Sequence, residues 1–92
     1  FARLMKITCF NEDEKKAASQ AGRIYSWLQS VIPRLSGNVK CTAPFSEPIK
    51  RVRNLYYISI LVKGKSLTSL KNAMRGTPLF EENDIIIDVD PL

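Results

Sequence analysis

The sequence contains no histidine. That removes the side chain most often used as a general base near neutral pH, and a common zinc ligand. Cysteine is scarce. Cys9 and Cys41 are the only two, and no Cys-x-x-Cys occurs, so a zinc site cannot be assembled from this chain alone. Glycine is scarce too, with four residues, and neither Gly-x₄-Gly-Lys-Ser/Thr nor Gly-x-Gly-x-x-Gly is present. Both kinds of phosphate-cradling loop are thereby excluded. No apolar run approaches the roughly 20 residues of a membrane span, and nothing resembles a secretory signal. The serines have no recognisable activating partner. Neither cysteine has the histidine or helix N-terminus that would lower a thiol pKa. Catalysis is therefore not expected of this chain, and neither a catalytic residue nor a bound metal or cofactor is assigned to it.

Acidic residues are nearly missing from the middle of the chain. Between Lys15 and Arg75 there are twelve Lys or Arg and one acid, Glu47. After Arg75 come Glu81, Glu82, Asp84, Asp88 and Asp90, with no base. The net charge of +5 and this segregation favour an acidic partner, nucleic acid first. The 92 residues, 45% of them apolar, fit one soluble globular domain with a modest core. The two cysteines sit in apolar, strand-like contexts, which predicts reduced, buried thiols and a cytoplasmic setting.

Periodicity organises the chain. Residues 2–10 alternate roughly and read as a strand. "NEDE" then supplies a helix start, with Asn11 as cap and Glu14 three residues on. Ala17, Ala21, Ile24, Leu28, Val31 and Leu35 draw one helical stripe, which Pro33 should stop near Val31 or Ile32. Lys15, Lys16, Gln20, Arg23 and Gln29 fall mainly off it. Trp27 lies beside the stripe, either widening the core face or docking on a neighbouring domain. Residues 38–43 alternate as a second strand, and 44–53 form a loop. Residues 54–63 read as a central strand with Tyr56, Ile58, Ile60 and Val62 on one face and Tyr57, Ser59, Leu61 and Lys63 on the other. Ser66 can cap a short helix through Met74, ended by Gly76 and Pro78. Residues 84–89 are the last strand. The order β-α-β-β-α-β predicts an α+β fold of the split β-α-β, ferredoxin-like type, with two helices on one face of the sheet.

Two constellations carry chemistry. Asp84, Asp88 and Asp90 share a face of the last strand and either hold Mg²⁺ or pair with nearby cations. The basic set is Lys50, Arg51 and Arg53 in the loop bounded by Pro44 and Pro48, with Lys40, Lys63 and Lys65 at the ends of flanking elements. Such charges contact phosphates and do not read sequence. Tyr57, on the more accessible face, is a candidate for stacking on an unpaired base.

The "FARLMKI" opening, the segment "APFSEPIKRVRNLYYISILVK" and the "IIIDVDPL" ending, in this order, resemble the C-terminal domain of primosomal protein N′, the replication-restart helicase PriA. The resemblance covers residues 1–92. It implies a C-terminal domain of a larger bacterial, cytoplasmic, ATP-dependent 3′ to 5′ helicase, whose ATP, Mg and Zn sites lie outside this chain. It also implies a ribosomal-protein-like version of the fold, forked or single-stranded DNA as partner, packing on the helicase core, and contacts with single-strand DNA-binding protein and other primosome components. Two positions depart from the family pattern. Ala43-Pro44 stands where Gly-Pro is usual. Leu55, Tyr56 and Tyr57 stand where Arg-Tyr-Arg is usual, so only Tyr56 carries over. The second of those arginines is linked to docking the acidic tail of single-strand DNA-binding protein, and Tyr57 lacks its charge. The reading from these residues is a DNA-binding accessory domain. Its alternative is a protein-docking module that uses the loop and Trp27.

Overall fold

The computed structural model describes residues 2–47 and 54–90. Its elements run β1 (Arg3–Asn11), α1 (Glu14–Val31), a 3-10 turn (Ile32–Arg34), β2 (Lys40–Cys41), β3 (Phe45–Ser46), β4 (Tyr56–Gly64), α2 (Thr68–Arg75), a second 3-10 turn (Pro78–Phe80) and β5 (Ile85–Val89). The sheet order is β2-β4-β1-β5, with β3 also paired to β4, and every pairing is antiparallel. With β2 and β3 together as the second strand of the plan, this is the expected ferredoxin-like arrangement.

The long β1–β4 pairing, from Arg3↔Gly64 to Asn11↔Tyr56, sets which residues share a face. Met5, Ile7 and Cys9 of β1 lie opposite Val62, Ile60 and Ile58 of β4, and all six are buried. Ala17, Ala21, Ile24 and Leu28 of α1 and Leu67, Leu70 and Met74 at α2 complete that core. Both helices therefore cover one face of the sheet. The other face carries Leu4, Lys6, Thr8 and Phe10 of β1 opposite Lys63, Leu61, Ser59 and Tyr57 of β4, and no described helix lies over it.

Helix boundaries differ slightly from expectation. Asp13, not Asn11, is the N-cap, accepting from the Lys15 amide at 2.9 Å. Asn11 instead accepts from the Asp13 amide, an Asx turn that leads into the helix. Gln20, placed by its polarity off the apolar stripe, is buried and hydrogen-bonds Glu82. A buried amide is tolerated when a partner satisfies it. At α2 the N-cap position is Leu67, while the Ser66 hydroxyl accepts from the Thr68 amide at 3.3 Å.

The second strand departs most. Residues 38–43 were expected to pair continuously, but pairing stops at Cys41 and resumes at Phe45, inside the expected loop. The register changes across the break. Cys41 opposes Val62, whereas Phe45 opposes Ser59, so the edge strand holds one residue more than β4 between these pairs. That is a β-bulge, next to Pro44, which has no amide to donate. A one-residue slip exchanges the two faces. Phe45 consequently stands on the open face, beside Ser59.

The cysteines are free, with Cys9 on β1 and Cys41 on β2 separated by β4. Burial above all, with Glu82 also contributing, pushes the Cys9 thiol up to about 11, against the opposing pull of Arg23. It is thus a protonated core residue at neutral pH.

Two isoleucines give a direct test of the one-sided core. Ile60 is fully buried and Ile86 is 51% exposed on β5. Ile60→Ala should cost about 2–5 kcal/mol in urea unfolding, as a buried truncation does. Ile86→Ala should cost well under half of that, and equal losses would contradict this packing.

Candidate nucleic-acid interface

The open face can be laid out strand by strand from the pairing register. From β5 across β1 and β4 to the opposite edge, one row reads Ile86, Thr8, Ser59, Phe45 and the next Asp88, Lys6, Leu61. The last row reads Leu4, Lys63, Lys40. Charge is therefore sorted across the sheet. Acids follow β5, and lysines gather at the β2 edge.

Lys40 and Lys63 are direct cross-strand neighbours on this face. Like charges placed so, about 5 Å apart at Cβ, destabilise a sheet. Lys65 joins them around a shallow concavity of about 470 Å³, lined also by Ala2, Asn38 and Gly64. No ion pair ties any of the three lysines to a carboxylate among the described residues. The corner is held by backbone. Gly37, at φ 99°, accepts from the Lys65 amide at 2.7 Å. A Cβ at Gly37 would stand 2.4 Å from the Ser66 carbonyl oxygen, so only glycine lets these two turns meet.

The remaining predicted residues divide. Tyr57 is half-buried on the open face beside Phe10, with ring centroids 6.1 Å apart and planes tilted by 31°. Trp27 is half-buried and packs edge-on against Phe80, centroids 5.2 Å apart. Lys50, Arg51 and Arg53, with the rest of 48–53, lie outside the described residues. The described neighbours of that stretch sit at the Tyr57 end of β4, since the Glu47 amide donates to the Tyr57 carbonyl at 2.9 Å. The lysine corner is at the other end, about 20 Å away at 3.4 Å per residue.

Two of the three acids at the last strand, Asp84 and Asp90, are bound to other protein groups. Asp90 meets Arg3 at 2.6 Å and accepts from the Leu4 amide, and Asp84 accepts from Asn11 Nδ2 at 3.4 Å. Among the described residues no group of three or more acids, cysteines or histidines is placed to hold a metal ion.

One family comparison decides the identity. The primosomal protein N C-terminal domain family matches residues 1–92, the whole chain. The chain belongs to this primosomal protein N C-terminal domain family. The family carries a role in the primosome and replication restart. No curated protein sequence matches the chain. Among solved structures, the de novo designed protein Foldit4 is similar with a TM-score of 0.59 at 8% identity, covering 100% of this chain and 99% of that one. That likeness concerns the fold alone. No helix of this primosomal domain is long and apolar enough to cross a membrane, among the described residues.

Sequence reasoning missed the polar centre of the open face. Glu47 Oε1 accepts from Ser59 Oγ at 2.7 Å and meets Lys6 Nζ at 2.9 Å. Ser59 has one hydroxyl proton, spent on Glu47, so the Thr8 hydroxyl at 2.9 Å is the donor to Ser59. A signal was available, because Glu47 is the single acid between Lys15 and Arg75. The network ties three strands and fastens the residue that leads into 48–53. The hydrogen bond from Lys6, then that from Ser59, holds the Glu47 carboxyl below its ordinary 4.5, against burial that pushes it up.

The sign of the pH dependence follows. Folded Glu47 binds its proton less readily than the unfolded residue. Its stabilisation is complete above pH 4.5 and is lost as pH falls through the lower folded value. Glu47→Gln should lower stability at pH 7 by about 1–3 kcal/mol, the scale of charge-assisted hydrogen bonds. It should also flatten the decline below pH 4.5, as read by thermal melts across pH; an unaltered acid limb would refute the assignment.

Proposed function

We propose that this is a DNA-binding accessory domain of a replication-restart helicase, gripping DNA through its phosphates without reading base sequence. The observation that carries the reading is the Lys40–Lys63 cross-strand pair with Lys65 beside it. A sheet that sets two lysines face to face, with no carboxylate paired to them among the described residues, accepts a stability cost that a polyanion would offset. Lys50, Arg51 and Arg53 add charge of the same sign from the stretch 48–53. On this reading the ATP- and Mg²⁺-dependent motor and the zinc site belong to other parts of a longer, cytoplasmic protein. Geometry for forked DNA comes from the assembly, and this domain supplies affinity.

One observation favours a second reading, docking on the helicase core. Among the described residues the exposed large apolar ones are Leu4, Ile86, Ile87 and Val89, all on β5 or the adjoining end of β1. Ile87 and Val89 also line an apolar groove of about 420 Å³ with Met5, Met74 and Phe80. Apart from Leu4, which neighbours Lys63, this surface lies at the β5 edge, across β1 from the lysine corner, so the two readings centre on different edges of the sheet.

The salt dependence of DNA binding separates them. Each lysine on a phosphate contributes about 0.7–0.9 to the slope of log K against log salt. Replacing Lys40, Lys63 and Lys65 by Gln should therefore reduce the slope by about 2–3. The Arg51→Ala, Arg53→Ala pair should reduce it separately. Slopes equal to that of the unmodified domain in both variants would discard the DNA reading, and a DNA affinity lost with Ile87→Asp alone would transfer the contact to the β5 edge.

A further inference from the structure

Resting on the DNA reading above, we infer that unpaired DNA lies along the β4 and β2 side of the open face, one base stacked on the Phe10–Tyr57 pair and its phosphates running to Lys63, Lys40 and Lys65. Four observations converge on that path.

First, the two ends of β4 differ in chemistry and share a face. Tyr57 and Phe10 form an aromatic pair at one end, neither ring buried, and Lys63 with Lys40 stands at the other. Aromatic rings for bases and a basic track for the backbone are the two parts of a single-strand site. The distance between them, about 20 Å at about 3.4 Å per residue of β4, leaves room for a few nucleotides of an unstacked strand.

Second, the side chains between the ends do not obstruct a strand. Ser59 is fully buried and Leu61 partly so, and the Ser59 hydroxyl is already hydrogen-bonded to Glu47 and Thr8, so neither residue raises a free polar group there. Phe45 reaches this face only because of the bulge.

Third, the one carboxylate on the path is already neutralised. Glu47 is satisfied by Lys6 and Ser59, and its side chain is 10% exposed. It presents little charge to a phosphate.

Fourth, the acids choose the side of the sheet. Asp88 lies on the open face of β5, across β1 from the lysines, whereas Asp90 is paired with Arg3. A polyanion is repelled from that edge and drawn to the other, which leaves one lane. A duplex keeps its bases inside the stack and cannot use the aromatic pair. This predicts a preference for single strands set at Tyr57.

The test is fluorescence anisotropy with the 92-residue chain and three probes of equal length: labelled oligo-dT, an abasic strand with the same phosphates, and a duplex. Base stacking on an aromatic ring accounts for about 1–3 kcal/mol, so Tyr57→Leu should weaken oligo-dT binding about tenfold. Abasic-strand and duplex binding should not change, and the salt slope on oligo-dT should be kept. Tyr57→Trp should tighten oligo-dT binding, which keeps the test open if the leucine variant melts at assay temperature. Equal losses on abasic and normal strands, or no change with either variant, would overturn the stacking path while leaving the phosphate reading to the lysine variants. If lysine substitution also leaves every probe bound as before, both readings fall.

Discussion

The antiparallel pairing of β1 with β4 is the constraint on which the molecule depends. It runs the full nine residues of each strand and joins the two chain halves. Once that register is set, the strands' alternation leaves no choice of face. Met5, Ile7, Cys9, Ile58, Ile60 and Val62 must meet the helices, and Thr8, Ser59, Tyr57 and Lys63 must turn away. A slip of one residue in β1 would turn Lys6 toward the helices and Met5 and Ile7 outward, exchanging apolar burial for a buried charge. The one-sided core and the open face are thus two aspects of one pairing.

The two edges of that sheet are finished differently. At the β2 edge the strand is short, bulged beside Pro44 and charged with lysine, three features that discourage pairing with another chain. At the β5 edge the strand carries Ile85, Ile87 and Val89 on one side and Ile86 with Asp88 on the other, and its pairing with β1 has no bulge. An edge of that kind is normally covered in a complete protein, whereas a lysine edge is stable in water until an anion reaches it. The asymmetry gives one small domain two edges of different chemistry.

Glu47 connects these features. Its carboxylate joins β1 and β4 on the open face, while its backbone pairs with β4 where the bulged edge resumes. A buried carboxylate would be costly without partners, and here a cation and a hydroxyl provide them. The effect is to remove the one negative charge from an otherwise cationic stretch, so that the field along β4 remains that of the lysines. Charge neutralisation and strand anchoring are therefore coupled at one residue.

Much of this was legible in the chain alone, because it rests on local pattern. The spacing of Ala17, Ala21, Ile24 and Leu28 defines a helix face whatever the fold. Alternation through Tyr56–Lys63 separates two faces of a strand, and the β-α-β-β-α-β order leaves few sheets that can accommodate it. The cationic middle and acidic end likewise need no structure to be seen. Other features depended on residues far apart in sequence. The Lys40–Lys63 opposition exists only because β2 pairs with β4 in that register, and Phe45 faces outward only because a bulge shifts it. Gln20 is buried because Glu82 reaches it, and Glu47 is anchored because Lys6 and Ser59 converge there. Periodicity fixes what a residue does relative to its own element. Which charges become neighbours is decided by strand pairing, and that is a tertiary matter.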